Sequence, residues 1–123
     1  MSSVSPIQII LQRRSEKDDV VSIWPREEEG FFDVVYEDKD SKAKYAFADS
    51  WDNVVAYLAQ IFAVLSIDRQ PFQGVQFTLP AYPAILLEVR EVTDESKMQP
   101  VWSMIESVAC GWPATLKKPS WKA

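Results

Sequence analysis

Residues 49–66, with the sequence DSWDNVVAYLAQIFAVLS, form the stretch that decides the fold. Their large apolar side chains recur at steps of three and four, which places them on one side of a helix with 3.6 residues per turn. Asp49 or Ser50 is expected to cap the first turn, and Pro71 prevents the helix from continuing past Gln70. We therefore predict a long central helix whose core side consists of Trp51, Val54, Val55, Leu58, Ile61, Phe62 and Leu65.

The opposite side of this helix has little charge. It contains Ala56, Ala59, Ala63 and Val64, with Asn53 and Gln60 as polar residues. One interpretation is that alanine, the best helix former, is tolerated on a half-exposed face. The other is that the small side chains allow a second protein segment or a second copy of the chain to approach closely. Both interpretations stay open at this stage.

Strand-like alternation of apolar and polar residues appears in six segments around the helix. These segments are residues 7–12, 20–24, 31–37, 43–48, 75–79 and 85–90. A second, shorter amphipathic helix follows, and Gly111 is expected to end it. Its start is predicted within residues 96–100, because Ser96 and Gln99 have capping-box spacing whereas Pro100 favours the first helical position. The order ββββ-α-ββ-α predicts an α+β fold, in which a mainly antiparallel sheet of about six strands packs against both helices.

The connection between the last two predicted strands is Pro80-Ala81-Tyr82-Pro83. Two prolines restrict φ at its ends, so the connection is expected to be stiff. Tyr82 then lies at its tip. The ring either packs back over the core or forms an exposed contact point for a partner.

Composition favours one domain and argues against common catalytic chemistry. We assign residues 1–111 to a single α+β domain and residues 112–123 to a basic C-terminal tail. The 123 residues include no histidine, a single cysteine and three widely separated glycines. The usual general base and metal ligand are therefore missing, and no phosphate-binding loop can be assembled. We predict that the protein is not an enzyme and that it has no metal, no cofactor and no small-molecule substrate; an enzyme using only carboxylates and tyrosines is the least favoured alternative.

The distribution of charge separates the tail from the rest of the chain. Residues 1–96 contain nine Lys/Arg and 17 Asp/Glu, whereas residues 97–123 contain four and one. Lys117, Lys118, Trp121 and Lys122 combine cations with a stacking ring, the combination found in proteins that bind single-stranded nucleic acid. So few cations would give only weak, salt-sensitive binding. Nucleic acid or an acidic protein bound by the tail is therefore the alternative function.

The preferred function is a non-catalytic protein-interaction or structural module. We expect a homo-oligomer or a small component of a larger assembly, a viral assembly included, with Ala56, Ala59, Ala63, Tyr82 and Trp121 in the contacts. No apolar run is long enough to span a membrane, and the start MSSVSPIQ lacks the features of a signal peptide. Together with the single Cys110, this predicts a soluble cytoplasmic protein with no membrane partner.

Overall fold

The computed structural model describes residues 5–26, 30–40, 42–67 and 70–111, apart from the side chain of Lys44. These residues form six strands, two α-helices and one short 3-10 helix. In chain order these are β1 (Ile7–Arg13), β2 (Asp19–Pro25), β3 (Phe31–Glu37), β4 (Ala43–Ser50), α1 (Trp51–Ile67), β5 (Phe72–Thr78), β6 (Ile85–Leu87), the 3-10 turn Val89–Glu91 and α2 (Glu95–Gly111).

The strands form one antiparallel sheet with the order β4-β3-β2-β1-β5-β6. The predicted α+β class and the ββββ-α-ββ-α order are confirmed. The first four strands follow one another across the sheet as a meander. Helix α1 then takes the chain back, so that β5 pairs with β1 on its free side, with Ile9 opposite Phe77 and Leu11 opposite Val75.

The core lies between one face of the sheet and the two helices. Alternate residues of β1, namely Ile7, Ile9 and Leu11, point into it because strand side chains alternate between the two faces. Phe62 of α1 connects the layers, with its ring centroid 5.9 Å from that of Phe77 in β5 and 5.8 Å from that of Trp102 in α2. Full burial of one such ring is worth about 1.5–3 kcal/mol. Removal of Phe62 would therefore weaken the contact of α1 with the sheet and the contact of α1 with α2.

Several predicted boundaries are corrected by the tertiary structure. β2 begins at Asp19, one residue before the predicted segment 20–24, and it includes Pro25 as its last residue. α2 begins at Glu95, one residue before the predicted window, because Asp94 accepts hydrogen bonds from the Ser96 backbone N–H (3.0 Å) and hydroxyl (2.8 Å). Pro100 consequently lies inside α2 and is not its first residue.

Candidate interaction surfaces

The outer face of α1 is exposed and almost free of charge. We define the α1 outer face by its exposed positions from Asn53 onward, namely Asn53, Ala56, Ala59, Gln60, Ala63, Val64 and Ile67. Val64 is 61% exposed and Ile67 is 86% exposed. No charged residue occurs between Asn53 and Ile67. The structure thus brings the predicted Ala56, Ala59, Ala63 and Val64 together on one surface and adds Ile67, which the prediction did not include.

Charge on α1 is confined to its N-terminal end. The Asp49 carboxylate accepts hydrogen bonds from the Asn53 side-chain amide (2.8 Å) and from the backbone N–H of Ser50 (2.7 Å). These two hydrogen bonds lower the pKa of Asp49. A carboxylate at this place is favourable because the N-terminus of a helix carries partial positive charge. The charge of Asp49 thus lies just before the first residue of α1, and no charge is placed along the α1 outer face.

Tyr82 lies in the turn between β5 and β6. Its backbone N–H donates to the carbonyl of Leu79 (3.2 Å), and the preceding Ala81 has a positive φ of 68°. The Tyr82 side chain is 42% exposed and is not among the residues that pack against the core. The interpretation of Tyr82 as a lid over the core therefore has no support in its observed exposure. The role of Tyr82 as a contact stays a prediction. Tyr82 lies beside β5 and β6, whereas α1 starts after β4 at the other edge of the sheet.

β4 is one edge of the sheet and carries an aromatic cluster that the sequence analysis did not single out. The Phe47 ring centroid lies 5.4 Å from that of Tyr45 and 4.9 Å from that of Tyr57 in α1. Tyr45 remains 54% exposed even with these contacts. Burial, and then the nearby Tyr45, raise the pKa of Tyr57. A partly exposed aromatic cluster therefore connects the edge of the sheet with the flank of α1.

A buried polar cluster connects β1, β2 and β3. Asp19, only 2% exposed, accepts two hydrogen bonds from the Arg13 guanidinium, at 2.9 Å from Nε and 3.0 Å from Nη2. It also accepts one from the Tyr36 hydroxyl. The guanidinium carbon of Arg13 lies 4.6 Å from the centroid of the Phe72 ring. The three polar groups satisfy one another, so the arrangement is suited to holding strands together and not to reacting with a substrate.

The pKa values of this cluster follow from its geometry. Burial, and then the hydrogen bond to Asp19, raise the pKa of Tyr36. The hydrogen bond to Asp19 also raises the pKa of Arg13. Asp19 could have been noticed in the sequence only as an acidic residue directly before the alternating segment at residues 20–24, which is a weak signal.

Shallow depressions lie beside β5 and β6. One of about 530 Å³ is lined by Gln12, Gln73, Gly74, Leu86, Leu87, Glu88 and Glu91. Its two carboxylates already serve local structure, since Glu91 accepts from the Glu88 backbone N–H (2.8 Å) and Glu88 accepts from Arg90 Nε (2.9 Å). Within the described parts of the chain, no group of three or more acidic or cysteine side chains could hold a metal ion. Cys110 is exposed at the end of α2.

The predicted residues of the tail, Lys117, Lys118, Trp121 and Lys122, lie outside the described residues. Among the helices of the described segments, none is long and apolar enough to cross a lipid bilayer. Comparison of the chain with protein-family models, with curated proteins and with solved structures finds no match.

Proposed function

We propose that the protein is a non-catalytic interaction module that associates with itself, or with another protein of a larger assembly, through the α1 outer face. The observation that supports this most strongly is the exposure of Val64 and Ile67 on a helix face without charge. A helix that faces only water normally carries charged residues on its outer side. A face that lacks them is expected to be covered in the working state of the protein.

The free energy available from this face predicts a modest affinity. Full burial of an aliphatic side chain is worth about 1.5–3 kcal/mol, so the exposed fractions of Val64 (61%) and Ile67 (86%) correspond together to about 2–4 kcal/mol. In a symmetric dimer both copies contribute, which gives about 4–9 kcal/mol against an association cost of about 4–15 kcal/mol. Contacts of the alanines must supply the rest, and association is expected to require micromolar or higher protein concentration.

The net charge opposes self-association, and the effect of salt on association distinguishes an apolar interface from one formed by ion pairs. Each copy has a formal charge of −5, so two copies repel at long range. The α1 outer face adds no charge to this repulsion because it is neutral from Asn53 to Ile67. Added salt screens the long-range repulsion while leaving apolar burial intact. Self-association through this face should therefore strengthen with salt, whereas an interface formed by ion pairs would weaken.

Sedimentation equilibrium across a concentration series tests the proposal. Ala59→Glu places a charge on the α1 outer face and should abolish association. Ser103→Glu is the matched control, because it introduces the same charge at an exposed position of α2 and should leave association unchanged. For a foreign partner, both variants are used as baits in pull-downs from the native source. A chain that stays monomeric at every concentration, together with equal partner recovery by both baits, would contradict the proposal.

Two further points of the proposal come from the sequence. A cytoplasmic location is supported by the single cysteine, since a reducing compartment requires no disulfide. The alternative function, binding of nucleic acid or an acidic protein through Lys117, Lys118, Trp121 and Lys122, is supported by no observation of the described residues. Deletion of residues 117–123 followed by titration with single-stranded oligonucleotides at low salt tests it, and unchanged binding would reject it.

A further inference from the structure

The alternation of hydrogen bonds along the strands determines which backbone groups of β4 point away from the sheet. In an antiparallel sheet, successive residues of a strand direct their N–H and C=O groups alternately to the two neighbouring strands. The N–H of Arg26, just after β2, donates to the carbonyl of Phe31 (3.1 Å). In β3, Phe31 and every second residue after it therefore form their backbone hydrogen bonds with β2. The intervening residues bond toward β4, and among them Val34 is paired with Phe47. Phe47 therefore directs its backbone groups inward, to β3.

Ala46 and Ala48 consequently direct their N–H and C=O groups away from the sheet. Both residues are exposed, and no described residue provides a hydrogen-bond partner for these groups. Their methyl side chains project on the face of the sheet opposite the helices, because their strand neighbour Phe47 packs against the core. This edge thus offers two donor and acceptor pairs flanked by side chains too small to block a second strand.

The two edges of the sheet differ in how well they can accept another strand. β6 has only three residues, and the 3-10 turn that starts at Val89 follows it almost directly. Short edge strands of this kind are a common protection against unwanted pairing. β4 has eight residues and contains no proline. A strand added to this sheet would therefore be expected at β4.

We propose that β4 pairs antiparallel with β4 of a second copy, with Ala46 of each chain opposite Ala48 of the other. This inference shares with the proposed function the self-association of the chain, but it assigns the contact to β4, a surface separate from the α1 outer face. The pairing is symmetric about Phe47. The outward-facing backbone N–H and C=O groups of Ala46 in one copy therefore meet those of Ala48 in the other. No two residues of like charge face each other in this register. The two six-stranded sheets become one continuous sheet.

The aromatic cluster of β4 and α1 lies beside the same edge. In this register the Phe47 residues of the two copies are opposite each other, and the exposed part of Tyr45 is covered by the second chain. Tyr57 contacts the Phe47 ring at 4.9 Å between centroids, so the flank of α1 that carries it lies near the symmetry axis. Ala59 follows Tyr57 by two positions, a rotation of about 200° around the helix, and so points away from this flank. Variants of Ala59 and of β4 therefore test separate surfaces.

The size of this contact predicts a weak dimer. β4 contributes eight residues and the flank of α1 a few more, whereas a standard interface has about 20–30 residues on each side. A dissociation constant in the micromolar range or above is expected.

Ala48→Pro tests the pairing at the backbone. Proline removes the outward N–H of residue 48 and leaves the β3–β4 hydrogen bonds in place, because those bonds involve Phe47 and Asp49. Dimerisation measured by sedimentation equilibrium should weaken at least about tenfold. Ala48→Val is the matched control, since it adds side-chain volume at the same residue, keeps the N–H and suits a strand. It should retain the dimer, and circular dichroism checks that both variants are folded.

A charge exchange tests the register without relying on proline. Ala46→Asp combined with Ala48→Asp places carboxylates opposite each other in the dimer and should weaken it. Ala46→Lys combined with Ala48→Asp places each new lysine opposite the new aspartate of the other copy and should restore dimerisation. Equal affinity of the two double variants would overturn the proposed register.

The outcomes separate this inference from the proposed function. Loss of dimer with Ala48→Pro but not with Ala59→Glu supports the β4 pairing and refutes the contact through the α1 outer face. The reverse result refutes the β4 pairing and leaves the proposed function standing. A chain that is monomeric at all concentrations refutes both forms of self-association. Binding of a foreign extended peptide at β4 by a strictly monomeric chain, detected as slowed amide exchange at Ala46 and Ala48, would replace the second copy as occupant.

Discussion

The buried carboxylate of Asp19 provides the sharpest test of the tertiary structure. In Asp19→Ala, the guanidinium of Arg13 loses both of its short hydrogen bonds, at 2.9 and 3.0 Å, and the hydroxyl of Tyr36 loses its acceptor. The methyl group that replaces the carboxylate cannot accept a hydrogen bond. The Arg13 cation then keeps the exposed Glu16 carboxylate at 3.6 Å, and the Tyr36 hydroxyl is left without its acceptor.

The expected loss of stability follows from burial. Removal of one member of a buried ion pair costs about 3–5 kcal/mol. The lower end applies because the Arg13 side chain is 19% exposed and can regain some contact with water. The unsatisfied hydroxyl of Tyr36 adds about 1 kcal/mol. We expect the free energy of unfolding to fall by about 3–4 kcal/mol, which corresponds to roughly 12–16 °C in Tm for a chain of 123 residues.

Urea unfolding followed by tryptophan fluorescence measures this loss. Glu16→Ala is the matched control, because Glu16 is also a carboxylate beside Arg13, at 3.6 Å, but its side chain is 46% exposed. That variant should unfold at nearly the same urea concentration as the parent chain. A loss of less than about 1 kcal/mol in Asp19→Ala, or equal losses in both variants, would refute the role of the buried pair.

Three further predictions concern the same fold. Because burial and a hydrogen bond raise the pKa of Tyr36, the folded state favours its neutral phenol. This contribution to stability is complete below the ordinary tyrosine pKa of about 10 and is lost as pH rises through the higher folded value. Tyr36→Phe should therefore flatten the alkaline decline of the unfolding free energy. Gly74→Ala should destabilise by about 1–2 kcal/mol, because a Cβ would lie 3.1 Å from the backbone oxygen of Leu87. Gly111→Ala, with nothing within 4 Å, should be neutral or stabilising. Ala81→Gly should stabilise by about 0.5–1 kcal/mol, since relief of the positive φ of 68° exceeds the entropy gained by the unfolded chain.

Each of these predictions has a contradicting outcome in urea unfolding. An alkaline decline as steep in Tyr36→Phe as in the parent chain would show that this phenol is not the titrating group. If Gly74→Ala and Gly111→Ala change the unfolding free energy equally, the close approach of the Leu87 backbone does not destabilise Gly74→Ala. A destabilised Ala81→Gly would mean that the left-handed conformation of Ala81 stores no strain that glycine can relieve.

The helices and strands could be predicted from the sequence because each depends on residues close together along the chain. The periodicity of residues 49–66 predicted α1, and its core side includes the buried Val54, Leu58, Phe62 and Leu65. The alternation at residues 31–37 predicted β3 with its observed bounds. Hydrophobic periodicity is a local property, since it reports which side of each element must be removed from water.

Long-range pairing was decided only by the tertiary structure. Nothing in residues 15–19 distinguishes Asp19 from its charged neighbours until β1 and β3 bring Arg13 and Tyr36 to it. Ala46 and Ala48 likewise become candidates for strand pairing only because β4 is last in the sheet order. The sequence by itself determined the type of each element and the side it buries, through the periods of helix and strand. The neighbours of each strand, the exposed edge and the partner of each buried charge depended on the packing of segments far apart in the chain, and no local pattern records that packing.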